Sequence, residues 1–228
     1  AAKNHLEQAA EAIDQAIESV PEEARFDGLK GEILLSQARY PAAVAAFSTA
    51  LTKDSSYFEY HLGRGLARAK LGDAQAARVD LEQSIKLLPT ALASNELGQM
   101  SLANGDLGNA KRYFQAAMGA GGGLGTTASM AFMRLDLEDN PEQYISVAPA
   151  MTEAGHLVAT VLNRTNLKLT SISVEFSARV NGQPAQIIRT VAQLAPNAQY
   201  QLDSGWQFKG ADQLEAIQIR VLKARAAP

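Results

Sequence analysis

The residues able to do chemistry are few and scattered in this chain. There are three histidines, His5, His61 and His156, and no cysteine. The histidines fall in three different predicted elements. None stands in an HxH, HxxxH or HExxH spacing, so no pair is placed to share a metal ion. The lack of cysteine removes disulfides, thiolate metal sites and a thiol nucleophile. No GxSxG elbow presents a serine. The acidic pairs Glu22-Glu23 and Glu138-Asp139 read as solvated helix-edge charges. Gly119 to Gly125 is rich in glycine but lacks the Lys-Ser/Thr ending of a phosphate loop and follows no strand, so it reads as a flexible inter-repeat loop. Two cations stand out: Arg64 and Arg68 lie one helical turn apart on an otherwise apolar face. A buried guanidinium without a partner costs several kcal/mol. They must therefore reach carboxylates, with Asp80, Glu59 and Glu96 the candidates, or mark a docking point for an acidic partner. No catalytic site, metal site or cofactor is expected in the chain.

The elements that carry these residues follow two grammars. With 46% hydrophobic and 20% charged residues and a net charge of -3, the 228-residue chain suits one large or two small globular domains. That charge offers no field for phosphate backbones, so nucleic acid is an unexpected partner. No apolar run is long enough to span a membrane. In the first half a pattern recurs about every 33 residues. Gly31, Gly65 and Gly98 each open a helix. Ala43/Phe47/Ala50, Ala77/Leu81/Ser84 and Ala110/Phe114/Ala117 follow in the next helix. Leu71-Gly72-Asp73 and Asn104-Gly105-Asp106 fill the turns, with glycine for a left-handed helix end and aspartate to cap the next helix. Ala38-Arg39-Tyr40 stands at the equivalent place without glycine. Such a period marks helical hairpins that bury their apolar faces only by stacking.

These residues resemble the tetratricopeptide repeat (TPR) family over about residues 1–137. Ala9, Ile13, Ala16 and Pro21 match a second helix, so the chain opens partway through a repeat, as a lone cap or as a piece trimmed from something longer. Thr126 to Leu137 is predicted to be one more helix, capped by Thr126 or Thr127 and closing the stack. The resemblance implies that the first helix of each repeat lines a concave face. By phase this places Arg25, Gly28, Glu32, Leu35 and Ser36 there from the first full repeat. The second gives Glu59, Leu62, Leu66, Ala69 and Lys70, and the third Leu92, Asn95, Gln99, Leu102 and Ala103. Members that clamp a chaperone's terminal carboxylate use Lys, Arg and Asn at these sites; only Lys70 and Asn95 qualify here. The expected occupant is an extended or helical peptide held by Leu62, Leu66, Leu92 and Leu102, or another part of the same polypeptide.

After Asn140-Pro141 the period changes to two. His156 to Leu162 and Ser171 to Val180 alternate, the latter with Ile172, Val174, Phe176, Ala178 and Val180 on one face. Asn181-Gly182 is a hairpin turn, and Gln186 to Leu194 returns. Gln199 to Leu202 and Ala216 to Leu222 are further strands, punctuated by Pro196-Asn197 and Asp203-Ser204-Gly205. Trp206 and Phe208 read as core plugs at a rim. The run LVATVLNRTNLKLTSISVEFSARVNGQ, with the later LAPNAQYQL, resembles small immunoglobulin-like modules of bacterial extracytoplasmic proteins. The expected architecture is α+β in two domains. A TPR α-solenoid covers residues 1–140 as a half repeat, three full repeats and a capping helix. A six- or seven-stranded antiparallel β-sandwich covers 141–228. The run YFEYHLGRGLARAKLGDAQAARVDLEQSIKLLPTA is also similar to the C-terminal region of bacterial zinc metalloproteases of the beta-barrel assembly-enhancing kind. That resemblance implies a periplasmic home, an HExxH domain upstream with the only zinc, and a role for this region in substrate recognition. An outer-membrane assembly lipoprotein without protease activity is a further alternative.

Overall fold

The computed structural model describes residues 2–180, 182–208 and 214–227, excepting the side chains of residues 2–7, 10, 214 and 215. The chain divides into two compact units, residues 1–132 and 133–228.

Among the described residues eight helices come first: α1 (Ala2–Ser19), α2 (Ala24–Ser36), α3 (Tyr40–Lys53), α4 (Phe58–Lys70), α5 (Ala74–Leu87), α6 (Ala91–Ala103), α7 (Leu107–Ala117) and α8 (Gly122–Asp136). Helices α2 and α3, α4 and α5, and α6 and α7 pack as hairpins; α1 packs on α2, α3 on α4, and α5 on α6. The recurring glycines explain the closeness of each hairpin. A Cβ on Gly31 would sit 2.8 Å from the Phe47 ring, one on Gly98 2.8 Å from the Phe114 ring, and one on Gly65 2.9 Å from Leu81 Cγ. Every member of the three triplets is fully buried, including Ser84. Phe47 is also pressed from the following hairpin, where a Cβ on Gly63 would meet its ring at 2.2 Å.

The turns follow the same chemistry. Gly72 and Gly105 take the left-handed conformation, at φ 81° and 74°. Asp73 and Asp106 accept from the Ala76 and Asn109 amides at 3.2 and 3.1 Å and so cap α5 and α7. Ala38 takes the same conformation at φ 57° with a Cβ in place, a strained choice for an L-residue. The start of α8 differs from expectation. The helix begins at Gly122, inside the glycine stretch read as a loop. Thr126 and Thr127 lie within it, each returning its hydroxyl to a carbonyl four residues back, Gly122 and Gly123, so neither is the cap.

Among the described residues six antiparallel strands follow a short 3-10 turn (Pro141–Gln143): β1 (Ile145–Met151), β2 (His156–Asn163), β3 (Leu169–Val180), β4 (Gln183–Leu194), β5 (Gln199–Gln207) and β6 (Leu214–Ala226). They form two sheets, β1-β2-β5 and β4-β3-β6. Ile172, Val174, Phe176 and Ala178 on β3 are buried, as the alternation requires. Val180 pairs with Gln183 across the hairpin; its turn residue Asn181 lies outside the described residues. The Asp203-Ser204-Gly205 punctuation is not a break, because β5 runs through it with Gly205 at φ 80°. Phe208 is buried and Trp206 half-buried. Fully buried Asn163 ties the loops together. It donates to the Leu167 and Ala195 carbonyls at 2.8 and 2.9 Å and accepts from the Thr165 amide at 2.9 Å. The end of α8 belongs with the strands: Asp136 accepts from Asn140 Nδ2 at 2.8 Å and from the Tyr144 hydroxyl at 2.9 Å, and Glu138 pairs with Arg225 at 2.9 Å.

Candidate functional site

In the first helices α2, α4 and α6, Gly31, Gly65 and Gly98 face the paired helix, while Gly28 and Gly63 face the neighbouring hairpin. Arg25 and Glu32 on α2, Lys70 on α4, and Leu92, Gln99 and Leu102 on α6 are exposed, with Leu92 at 39% and Leu102 at 38%. Glu59 is half-buried. Leu62 and Leu66 are half-buried as well, because they pack against the Leu81, Ala93 and Leu97 cluster between hairpins. Asn95 is buried, and its Oδ1 has no hydrogen-bond partner. The ten residues expected to contact a partner therefore differ in kind. Six are open, three are half-buried and Asn95 is enclosed.

Three of the ten meet. Arg25, Glu32 and Glu59 line one cleft of about 120 Å³ with Gly28, Leu29, Tyr57 and Tyr60. Glu23 caps α2, accepting from the Arg25 amide at 3.4 Å and from Arg25 Nε at 3.1 Å. This holds the Arg25 guanidinium on its own helix end. Tyr60 is buried with its ring against α2, and only the missing side chain at Gly28 allows it, since a Cβ there would come within 2.3 Å of the ring. Tyr57 stacks at a tilt on Tyr60, ring centres 4.8 Å apart, and stays 41% exposed. Burial, and then the neighbouring Glu59 charge, hold the Glu32 carboxyl above its ordinary pKa. A hydrogen bond to Glu59 and that same charge push the Tyr57 phenol up. Burial does the same to Tyr60. The two tyrosines were not singled out from the sequence. The signal available was the aromatic cluster Tyr57-Phe58-Glu59-Tyr60 at the start of α4.

Arg64 and Arg68 are structural. Both turn onto Asp80, which is 2% exposed on the paired helix: Arg64 Nε and Nη2 donate at 2.9 and 2.7 Å, and Arg68 Nη1 at 2.8 Å. His61 completes the group, its Nε2 3.1 Å from the Ser55 carbonyl and its Nδ1 3.9 Å from Asp80. His156 pairs with Asp203 at 3.2 Å on the strands, and the His5 side chain lies outside the described residues. Among the described residues no group of three or more His, Asp or Glu side chains is placed to hold a metal ion, and no helix is long and apolar enough to cross a membrane.

Helical hairpins repeating every 33–34 residues, with glycine against a bulky side chain and a capped turn, define a class of helical repeat modules. The chain belongs to the tetratricopeptide repeat family, whose model matches residues 1–58, 29–91 and 62–124. Solved structures share this part of the fold. YrrB, described as a TPR protein with an unusual peptide-binding site, is 24% identical with a TM-score of 0.51, over 56% of this chain and 66% of its own. Pseudomonas aeruginosa pilF is 21% identical with a TM-score of 0.51, over 55% of this chain and 58% of its own. A domain of yeast Sti1 solved in an Hsp70 complex is 18% identical with a TM-score of 0.46, covering 50% of this chain and 96% of that domain. No curated protein sequence matches the chain. TPR proteins generally mediate protein–protein interaction.

Proposed function

We propose that this chain is a non-catalytic interaction module that holds a polypeptide partner or client against α2, α4 and α6. In this reading the hairpins stack into a solenoid whose hollow side is the groove. The two sheets face one another as an immunoglobulin-like sandwich that orients the array or docks a second partner. The observation that supports it is the open first-helix side. Leu92 and Leu102 on α6 are exposed apolar residues, Gln99 between them in sequence is exposed as well, and a cleft lined by α2 and α4 opens in the preceding repeats. Apolar side chains with a few placed polar groups are what peptide recognition uses. A bacterial envelope location belongs to the same reading, on the resemblance of the strand half to extracytoplasmic modules.

The test is selection of peptides from a random displayed library, followed by titration of a synthetic peptide against the protein and a Leu92→Asp/Leu102→Asp variant. Both leucines are exposed, so the variant keeps its melting temperature. Affinity falls by about tenfold or more if the reading is right. Unchanged affinity removes α6 from the site. The second reading, a substrate-recognition region of a zinc metalloprotease, is favoured by the run from Tyr57 to Ala91. An HExxH helix encoded upstream decides it.

A further inference from the structure

The cleft between α2 and α4 carries two carboxylates and one cation, Arg25. Glu32 and Glu59 come from successive first helices, and among the described residues neither pairs with a basic side chain. Arg25, which also lines the cleft, is held by Glu23, with its side chain three-quarters exposed. The floor is the buried Tyr60 ring and the wall the exposed Tyr57 ring, with Leu29 at the rim. We propose that this cleft receives one lysine or arginine side chain of the polypeptide held on the first-helix face, an inference that rests on the peptide-holding function above.

Three features select that occupant. Two carboxylates without a basic ion-pair partner repel each other, and a cation between them removes the repulsion and adds charge-assisted hydrogen bonds. Aromatic faces carry negative potential, so Tyr57 and Tyr60 favour an ammonium or guanidinium. Leu29 and the tyrosine ring edges suit the aliphatic stem, which both basic side chains bury while their charge stays polar. An acidic segment or a terminal carboxylate meets like charge here. The Glu32 carboxyl is displaced upward chiefly by burial and then by the Glu59 charge. The site also occurs once. The residues one repeat on from Glu32 are Leu66 and Gln99, and the positions matching Glu59 are Arg25 and Leu92. A single acidic cleft beside an apolar surface fixes where along the groove a partner's basic residue sits.

The experiment pans a random dodecamer phage library on the purified protein, on a Glu32→Gln/Glu59→Gln variant and on bare support. The proposal expects peptides enriched on the unaltered protein to share a lysine or arginine at one fixed place. Replacing that residue by norleucine in a synthetic peptide then weakens binding about tenfold or more, and so does the Glu32→Gln/Glu59→Gln variant. Glu59 stands in the first turn of α4, where its charge favours the helix end, so the variant's melting temperature is measured beside its affinity. The norleucine peptide tests the same point without any protein variant. Enriched peptides with no fixed basic residue, or affinity indifferent to both changes yet lost in Leu92→Asp/Leu102→Asp, overturn the cleft assignment and leave the groove standing. No enrichment over bare support overturns both.

Discussion

The hairpin geometry is most sharply tested at Gly98. Alanine in place of glycine in a helix interior ordinarily favours folding by about 0.8–1 kcal/mol. Here the added methyl would meet Phe114 Cδ1 and Cε1 at 2.8 Å, well inside the roughly 3.5–4.0 Å optimum between carbons. Phe114 is fully buried between Ala110 and Ala117 on its own helix and cannot swing to solvent. Overpacking of this kind costs typically about 1–3 kcal/mol, which outweighs the propensity gain. Gly98→Ala therefore destabilises by about 1 kcal/mol or more. Gly108, in the same hairpin, has only the Asp106 carboxylate at 3.9 Å, so Gly108→Ala stabilises by roughly 0.5–1 kcal/mol. Urea melts of the two variants must move in opposite directions. A double-mutant cycle adds a control, because Phe114→Leu shortens the ring's reach and relieves the Gly98→Ala clash. The two changes then couple favourably by about 1 kcal/mol. If Gly98→Ala stabilises as Gly108→Ala does, or the cycle is additive, close glycine-to-ring packing is not what sets the helix spacing.

Other substitutions probe the remaining elements. Ala38→Gly relieves a left-handed alanine at an exposed turn and raises stability by about 0.5–1 kcal/mol in a urea melt, part of the gain being offset by glycine's freer unfolded chain. Asp80→Asn leaves Arg64 and Arg68 without a counter-charge and lowers stability by about 3 kcal/mol, and Arg64→Ala also lowers the melting temperature; an unchanged melt in both would reassign the arginines to partner docking. Tyr144→Phe removes a hydrogen bond to the buried Asp136 carboxylate, at a cost of about 1.5–3 kcal/mol. The Tyr144 phenol is raised from 10.0 to about 12, chiefly by burial and then by that hydrogen bond. Its contribution is fully present below about pH 10 and is lost as pH rises through about 12, so the gap between parent and Tyr144→Phe closes across that window.

Much of this was legible because each repeat needs particular residue types at particular steps. Glycine against Phe or Leu, alanine beside it and Gly-Asp at the turn all follow from helices approaching closely, and the structure places each where the spacing put it. Alternation likewise marked β2 and β3, and the Asn181-Gly182 turn marked the return of β4. What escaped had no local period. Strand β1 is an edge strand with Pro149 in it and four exposed residues at its end, so it shows neither alternation nor a hydrophobic run. Strand β5 continues through Asp203-Ser204-Gly205, which reads as a turn unless the pairing with β2 is known. The threonines of α8 have a capping residue's chemistry but spend it on carbonyls within the helix. At the site, phase gave Arg25, Glu32 and Glu59 but not their convergence. The cleft depends on Tyr60 entering the space left by Gly28, a contact between repeats that the pattern within one repeat does not encode.

The central claim is that polypeptide is held by the first helix of each hairpin. Amide hydrogen exchange, followed by mass spectrometry with and without a library-selected peptide at saturation, tests it most directly. The account predicts slowed exchange in α2, α4 and α6, with α3, α5, α7 and the six strands unchanged. Protection confined to the second helices or to the strands would contradict it.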